Sequence, residues 1–400
     1  MVTSSSTQAS PETDQPRGVK LPTQENKPEQ GAAEKIAVAT QWQLMWWRFR
    51  KHRLALLSAV IIILVYMVAI FADFLAYADP FDTEAQRSFL PPQPIHFFDE
   101  GRFSPHVYAI SGKRDPVSFK RVYEVDPEVK IPLQLFGHGY EWSFFGLFKS
   151  TVHLIGVDRE AAEAAGYRPE DTIFLLGTDM LGRDVFSRLM IATRVSLSVG
   201  LVGVLLSLFL GILLGGISGL YGGWVDVFIQ RVIEIIRSVP TIPLWMGLAA
   251  ALPREWSVVQ IYFAITIIIS LISWTDLARV VRGRFLALRE EDFVMAAELA
   301  GASQLRIIFR HMVPSFLSHI IAALTLALPA MIISETALSF LGLGLRPPAI
   351  SWGVLLQDAQ TIQAISNSPW LLSVAVPVIV VILAFNFLGD GLRDAADPYS

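Results

Sequence analysis

The sequence predicts an all-α, polytopic membrane protein with six transmembrane helices and a small inserted module that contains β-structure. Three observations favour this fold class. Of the 400 residues, 53% are hydrophobic and only 17% are charged, and the mean hydropathy of +0.48 is too high for an ordinary soluble domain. Six segments approach the roughly 20 apolar residues that a helix needs to cross a bilayer. One long connection between two of these segments is rich in proline and aromatic residues.

Net charge and cysteine content exclude several functions. The formal net charge is -4, so nothing suggests a nucleic-acid partner, and contact with membrane lipid depends on spanning segments rather than on basicity. There is no cysteine, which excludes disulfides, thiolate metal sites and a cysteine nucleophile. The seven histidines are scattered without a close ligand pair, so we expect no metal centre.

The predicted spans follow the apolar runs. The third run differs from the others because it carries Arg231, Glu234 and Arg237 in its first turns. Each ionised group costs about 2.5 to 3.5 kcal/mol at mid-bilayer, so these three belong at the interface or against neighbouring helices. The predicted spans are residues 54–76, 195–220, 231–252, 256–275, 314–341 and 369–388.

Basic residues set the predicted orientation. The segment WWRFRKHR precedes the first span and six arginines follow the fourth, whereas the short loops on the opposite face hold only Arg254 and Arg346. By the positive-inside rule, both termini are cytoplasmic. The chain then divides into a disordered cytoplasmic N-terminus (1–41), an amphipathic leading segment with the first span (42–77), a periplasmic insertion (78–192), the main transmembrane region (193–391) and a cytoplasmic tail (392–400).

The insertion is too long for a bare linker. Within it, HVYAISGKRDPVSFKRVYEV has the pattern of two short strands around a Ser-Gly-Lys-Arg-Asp turn. A small, mostly β module is the first interpretation. An ordered loop that lies on the membrane region is the alternative.

The stretch EDFVMAAELAGASQLRIIFRHMVPS, residues 291–315, interrupts two apolar runs with charged, helix-favouring sequence. Acidic residues up to Asp292 favour a helix start, and Gly301 permits a change of direction. The first helix would present Phe293, Ala296, Ala297 and Ala300 on one face. The second helix would present Leu305, Ile308, Phe309 and Met312, and Pro314 is suited to the first turn of the next span. One interpretation is an amphipathic hairpin that only joins two spans. The other is a cytoplasmic docking element through which another protein moves the spans.

Four stretches resemble the permease subunits of bacterial importers driven by ATP-binding cassettes, in the dipeptide, oligopeptide and nickel branch. AAELAGASQLRIIFRHMVP resembles the family's coupling motif, with Ala296, Ala297, Gly301 and Pro314 at matching positions, although Met295 stands where the best-known version has glutamate. The other stretches are GTDMLGRDVFSRL, ALSFLGLGLRPPAISWG and FLGDGLRDAADP. Their family positions are Asp179, Gly182, Arg183, Asp184, Gly342, Gly344, Pro347, Pro348 and Asp390.

The resemblance implies a type I importer permease fold within a larger assembly. In that family, the membrane subunit forms a heterodimer with a homologous second permease, and two ATPases and an external substrate-binding protein complete the complex. The coupling helix, here around residues 291–302, contacts an ATPase. The chain has no G-x-x-x-x-G-K-[ST] phosphate loop, so we expect a transport subunit that is not an enzyme, with no cofactor of its own and ATP bound by its partners. The implied substrate is a peptide, and the alternative substrates are an oligosaccharide or nickel. The alternative from another functional class is a membrane sensor or scaffold that transports nothing.

Three further residues are candidates for the translocation path. Glu335 lies within the predicted fifth span, and an acid inside a membrane span is a functional candidate. It could line the translocation path or bind the amine of a peptide. The alternative is that it pairs with a neighbouring helix or contacts interfacial water. Pro240 and Pro329 can kink or unwind their spans and free backbone carbonyls toward a cavity. Proline is also simply common in spanning helices.

Three motifs have structural interpretations as well. The charges of GTDMLGRDVFSRL, which include Arg188, form either a salt-bridged cap on the outer side or a solvated helix start. LGGISGLYGGW has the composition of a flexible, close-packed turn. GLGLRPP is typical of a helix stop followed by an extended Pro-Pro segment.

Overall fold

A computed structural model describes residues 41–117, 121–169, 172–253 and 255–396. The predicted disordered N-terminus therefore lies outside the described residues except for Gln41, and so do residues 397–400 of the predicted tail. The chain begins with α1 (Gln41–Phe49), α2 (Arg53–Ile70) and the short α3 (Ala72–Leu75). Helix α2 is the predicted first span, and it begins where the Ala55 N–H donates to His52 Nδ1 at 3.2 Å.

The insertion folds as a β module, which confirms the predicted β-structure. Four antiparallel strands pair in the order β1-β2-β3-β6, and β4 and β5 form a separate hairpin. Its core contains Val107, Ala109, Ile131 and Val157. The elements are β1 (His96–Asp99), β2 (Arg102–Arg114), β3 (Arg121–Leu135), β4 (His138–Phe144), β5 (Phe148–Val152), β6 (Ile155–Val157) and α4 (Arg159–Ala164).

The predicted turn of the β2–β3 hairpin is wrong. Ser111 to Arg114 belong to β2, and the pairing with β3 continues until Arg114 lies opposite Arg121. Turn-forming residue types therefore occur here inside a paired strand, where strand pairing overrides local preference.

The next four helices are α5 (Val185–Tyr221), α6 (Gly223–Ser238), α7 (Thr241–Ala250) and α8 (Val258–Leu288). The predicted glycine-rich turn after the second span is wrong, because α5 continues through it. Gly215 and Gly219 let α5 approach α8 closely: an added Cβ would lie 2.5 Å from the Ala278 carbonyl oxygen and 2.6 Å from Phe285 Cβ, respectively. Only Gly222, with φ of +61°, ends the helix.

The predicted third span is not one continuous helix. Helices α6 and α7 are bent by 85° at the short break between them. Val239 is extended before Pro240, as expected for a residue that precedes proline. In the described part of the chain, five helices are long and apolar enough to cross a membrane, and a sixth span exists only if the bent pair counts as one.

The rest of the chain alternates short and long helices, and α15 packs between α12 and α2. Helix α15 extends into residues 392–396, which the sequence assigned to a tail. The elements are α9 (Asp292–Leu299), α10 (Gln304–Arg306), a π-helix (Ile307–Met312), α11 (Val313–Ser315), α12 (Leu317–Phe340), α13 (Trp352–Ala359), α14 (Ile362–Asn367), a 3₁₀ helix (Pro369–Val374) and α15 (Ala375–Ala396).

Candidate functional site

Helix α9 lies at the end of the helix bundle opposite the β module, and few of its side chains contact the rest of the chain. Of its eight described residues, Val294 is the one that is buried, in a cluster with Phe285 of α8 and Ile308 and Met312 of the following segment. Phe293 and Met295 are exposed, and Leu299 is 90% exposed. Glu290, Glu291 and Asp292 surround the start of the helix. The helix therefore presents an apolar surface bordered by carboxylates, while Val294 and the half-buried Ala297 attach it to α8 and to the following segment.

Gly301 forms the link between α9 and the next helical segment. The Gly301 N–H donates to the Glu298 carbonyl at 2.9 Å, and the Ala302 N–H donates to the Ala297 carbonyl at 3.0 Å. This pair of bonds is a Schellman motif, which requires a left-handed residue, and Gly301 has φ of +77°. A Cβ at Gly301 would meet nothing within 4 Å. Glycine is therefore required by backbone conformation rather than by space.

The predicted apolar face of the second helix is partly wrong. Ile307, Ile308 and Met312 are buried, whereas Leu305 and Phe309 are exposed. The segment Ile307–Met312 is π-helical, and its longer turn rotates the buried face away from the spacing of an α-helix. Pro314 lies in α11, before Phe316 breaks the helix, so it precedes the first turn of α12 instead of occupying it. The small predicted face of α9 is also not its buried face, because Ala296 and Ala300 are exposed.

At the opposite end of α5, the charged motif forms a buried ion network. Arg183 Nε donates to Asp179 Oδ2 at 2.7 Å, and Arg183 Nη2 donates to Asp358 Oδ2 at 3.0 Å. Arg188 is 2% exposed and lies 3.7 Å from both carboxylates. Gly182 adopts φ of +77°, and a Cβ there would overlap the Glu84 carbonyl oxygen. The motif is therefore a salt-bridged cap and not a solvated helix start.

Asp184 caps α5 from a buried position. Its Oδ2 accepts from the Ser187 N–H at 2.6 Å, and its Oδ1 accepts from the Tyr77 hydroxyl at 2.8 Å. Burial raises the pKa of Asp184 to about 6. The Tyr77 hydroxyl in turn accepts from the Leu175 N–H. Asp184 thus connects the β module to the first turn of α5.

Glu335 lies inside the helix bundle, fully buried. Ser339 donates to Oε1 at 2.8 Å and Ser196 donates to Oε2 at 3.1 Å. Ser196 Oγ also accepts from the Trp352 N–H at 3.1 Å. Glu335 therefore joins α12, α5 and α13, and in this conformation it does not line the cavity inside the helix bundle.

That cavity, of about 490 Å³, lies among α5, the α6–α7 pair, α8 and α12. Its walls are mostly apolar, with hydroxyl groups from Ser207, Thr241, Ser273, Thr275 and Ser334 and one ion pair between Arg237 and Asp276. Pro240 lies between two lining residues of the bent pair, and Pro329 lies inside α12 between lining residues Ala327 and Ala330. Neither proline is itself a lining residue.

The remaining family positions lie in turns at the end of α12 or on the surface of α15. Gly342, with φ of +75°, ends α12, and a Cβ at Gly344 would meet Ser339 Oγ at 2.5 Å. The helix stop is confirmed, but Pro347 and Pro348 lie in a turn and not in an extended segment. Asp390 is exposed on α15, beside His52 and Arg393 in a shallow cleft. Among the described residues, no group of three His, Asp or Glu side chains is arranged to hold a metal ion.

Sequence reasoning missed three charged partners. Asp358 completes the buried network, Asp73 binds Arg194 through two hydrogen bonds of 2.5 and 2.9 Å, and Asp226 binds Arg282 through two of 2.5 Å. Asp358 had a sequence signal, since it is the only charged residue between Arg346 and Asp390. A lone acid in a long uncharged stretch requires a basic partner from elsewhere in the chain.

These features define a multi-pass membrane protein with an internal cavity and a short, largely exposed helix at one end of the bundle. Two protein families match the chain: "Binding-protein-dependent transport system inner membrane component" at residues 211–399 and "N-terminal TM domain of oligopeptide transport permease C" at residues 40–92. The dipeptide transport system permease protein DppC of Lactococcus lactis is 31% identical over 92% of this chain and 94% of its own length. The oligopeptide transport system permease protein OppC of Bacillus subtilis is 35% identical over 62% of this chain and 76% of its own length.

The chain belongs to the family of binding-protein-dependent ABC importer permeases, in its oligopeptide and dipeptide permease branch. It is a transport subunit and a multi-pass protein of the inner membrane. Among solved structures, a chain of the inward-facing methionine ABC transporter MetNI is similar over 52% of this chain and 95% of that chain, with 18% identity and a TM-score of 0.40.

Proposed function

We propose that the chain translocates peptides into the cell, driven by separate ATPases that dock on α9. The peptide cargo is supported by relatives whose names assign them to oligopeptide and dipeptide transport. The proposed complex contains this chain, a homologous second permease, two ATPases that bind ATP and an external substrate-binding protein. The chain contributes no ATPase site and no cofactor.

The observation that carries the proposal is the way α9 is attached. Leu299 is 90% exposed, and full burial of a leucine is worth about 1.5 to 3 kcal/mol, so a partner that covers it gains binding energy. Val294 is fully buried between the helices that a partner would have to move. One side of α9 is thus free for docking while the other is fixed to α8 and to the segment that leads to α12.

The link at Gly301 supports transmission of force. Hydrogen bonds close both sides of the turn, so displacement of α9 carries the π-helical segment with it. For a partner to drive transport, it must bind one arrangement of these helices more tightly than the other. ATP-driven closure of the two ATPases would supply that difference in affinity.

The proposed orientation places α9 and both termini in the cytoplasm and the β module outside. Arginines gather near α9: Arg279, Arg282, Arg284, Arg289, Arg306 and Arg310. Such an excess of basic residues is typical of the cytoplasmic face. The outside position of the β module would leave it accessible to the substrate-binding protein.

We also propose that the cavity beside the α6–α7 bend belongs to the translocation path. The bend at Pro240 leaves the start of α7 at the cavity wall through Thr241 and Trp245. For Glu335, burial and its three hydroxyl donors support a role in joining helices, and it would meet cargo only if α5, α12 and α13 separated.

The test uses Leu299→Arg in the reconstituted complex, with Phe103→Arg, an exposed position in the β module, as the matched control. We expect Leu299→Arg to weaken ATPase binding at least tenfold and to reduce peptide uptake in parallel, with unchanged thermal stability. Phe103→Arg should alter neither. Unchanged ATPase binding and uptake in Leu299→Arg would contradict docking on α9.

Gly301→Val separates coupling from docking. Valine at φ of +77° is strained, so the hinge should shift while the exposed face of α9 stays in place. We expect ATP hydrolysis to persist with uptake reduced severalfold, whereas Gly301→Asn, which tolerates this conformation, should retain most uptake. Equal uptake by the valine variant and the wild type would contradict a mechanical role for the hinge.

A further inference from the structure

The β4–β5 hairpin ends in an exposed apolar tip without charge. The tip reads Phe144-Phe145-Gly146-Leu147-Phe148, and Leu147 is 79% exposed. The β1–β2 hairpin of the same module also has exposed phenylalanines, Phe98 and Phe103, but its tip carries Asp99, Glu100 and Arg102. The two tips are therefore adapted to different surroundings.

The contacts of β4 show that its tip points toward the membrane. At the base of the strand, Gly139 lies beside Tyr77: an added Cβ would be 3.2 Å from the Tyr77 carbonyl oxygen. Farther along, Trp142 lies 6.4 Å from Phe74 between ring centroids. At the tip, Phe144 stacks on Phe71 with centroids 6.1 Å apart. From its first residue to its last, β4 therefore runs alongside residues 77 to 71 in reverse order, so its tip lies beside the end of the first span.

Two further features fix the depth of the tip. Helix α2 has 18 residues, which at about 1.5 Å each give a length close to the roughly 30 Å of a bilayer core, so Phe71 lies at the membrane boundary. The Arg194–Asp73 ion pair lies at the same level, because Asp73 follows Phe71 by two residues. The Arg194 guanidinium carbon is 5.8 Å from the centroid of the Phe145 ring.

The apolar surface of the tip continues the exposed surface of the first span. Ile63, Leu64, Met67, Ile70 and Phe71 are all exposed along α2, and α2 has the smallest buried share of the described spans. Phe71 then contacts the hairpin tip directly. Lipid that covers α2 would therefore also contact the hairpin tip. This contact lies at the depth of the membrane–water interface, where aromatic side chains are enriched.

We propose that the tip of the β4–β5 hairpin, formed by Phe145, Leu147 and Phe148, inserts into the lipid interface of the leaflet on the β-module side. The inserted tip fixes the height of the module above the membrane. The ion-paired Arg194 and Asp73 hold the hairpin at two points: Arg194 lies against the Phe145 ring at the tip, and the Asp73 carbonyl oxygen lies 3.1 Å from His153 Nδ1 at the root. The partner of this surface is a bilayer and not a soluble protein.

The absence of native cysteine makes the test direct. Leu147→Cys is labelled with a bimane fluorophore in the full-length chain, assembled with its partner subunits in phosphatidylcholine nanodiscs. Phe103→Cys, which replaces a side chain of similar exposure at 71%, is the control. Quenching is measured with 5-doxyl phosphatidylcholine in the bilayer and with iodide in the buffer.

We expect the label at 147 to be quenched severalfold more by the doxyl lipid than the label at 103, and severalfold less by iodide. Equal iodide quenching at both positions would overturn the proposal, because the tip would then be in water. Protection from iodide without doxyl quenching would also overturn it, and would identify a protein subunit as the partner of the tip.

Discussion

The two ends of α5 are held by different forces. At the β-module end, Asp179, Arg183, Arg188 and Asp358 form a buried ion network. At the α9 end, α5 packs on α8 through close glycine contacts beside one partly exposed ion pair, Asp226–Arg282, and α9 is attached through Val294 and Ala297. A buried ion network tolerates little displacement, whereas apolar contacts can slide and repack. Under the proposed function, movement would start at α9, and the β-module end would serve as the fixed point.

The largest expected effect comes from breaking the ion network. Asp179→Ala leaves Arg183 and the buried Arg188 with one carboxylate instead of two, and breaking a buried pair in this way costs about 3 to 5 kcal/mol. The matched variant at the other end, Asp292→Ala, removes an exposed charge and should change the free energy of unfolding by less than about 0.5 kcal/mol. Unfolding in detergent measures both, and similar losses would remove the contrast between the two ends.

The pH dependence of stability tests the buried cap at the β-module end. The pKa of Asp184 is raised from 3.8 to about 6 by burial, so the folded state binds this proton more tightly than the unfolded state. The resulting stabilisation is complete below pH 3.8 and is lost as the pH rises through 6, a total of about 3 kcal/mol. Asp184→Asn keeps a hydrogen-bonding group but cannot ionise.

We therefore expect the stability of the wild type relative to Asp184→Asn to fall between pH 4 and pH 7 and to level off on either side. Urea unfolding across this range measures the difference, and subtraction removes the contribution of other carboxyl groups, including Asp358, whose pKa burial also raises. A difference that does not change with pH would show that Asp184 has an ordinary pKa.

A smaller effect is expected at the α5–α8 contact. Gly215→Ala would force a methyl group to within 2.5 Å of the Ala278 carbonyl oxygen, and such overpacking costs about 1 to 3 kcal/mol. Gly247, inside α7, has open space around it, so Gly247→Ala should instead stabilise by about 0.5 to 1 kcal/mol. Thermal unfolding of the two variants measures these changes in stability, which should have opposite signs. If Gly215→Ala is as stable as the wild type, the α5–α8 contact is not closely packed.

The sequence predicted the features that depend on local pattern. Apolar runs located the five continuous spans, and the helix start at Asp292 with a turn at Gly301 is as expected. Features that depend on distant contacts were missed. The pairing of Arg183 with Asp358 joins residues 175 positions apart, and the turn predicted at Ser111 became strand through pairing with β3.

The candidate site was predictable only in part. Glu335 was recognised as an unusual acid, and helical spacing places Ser339 next to it. Its partner Ser196 comes from α5, 139 residues away, and no spacing rule reveals that contact. The π-helical turn at Ile307–Met312 shifted the buried face, because five-residue spacing replaced the expected pattern. The break at Pro240 had a sequence signal, because proline was expected to kink or unwind this span, but the size of the bend, 85°, was not predicted.

Cysteine accessibility at position 299 tests the central claim most directly. Leu299→Cys is labelled with a membrane-impermeant maleimide in inside-out and right-side-out vesicles, with and without the ATPase subunits, and Phe103→Cys serves as the control. The account predicts that Leu299→Cys reacts only in inside-out vesicles and becomes protected when the ATPases bind, whereas Phe103→Cys reacts only in right-side-out vesicles regardless of the ATPases. Labelling of Leu299→Cys from outside, or labelling unaffected by the ATPases, would contradict the account.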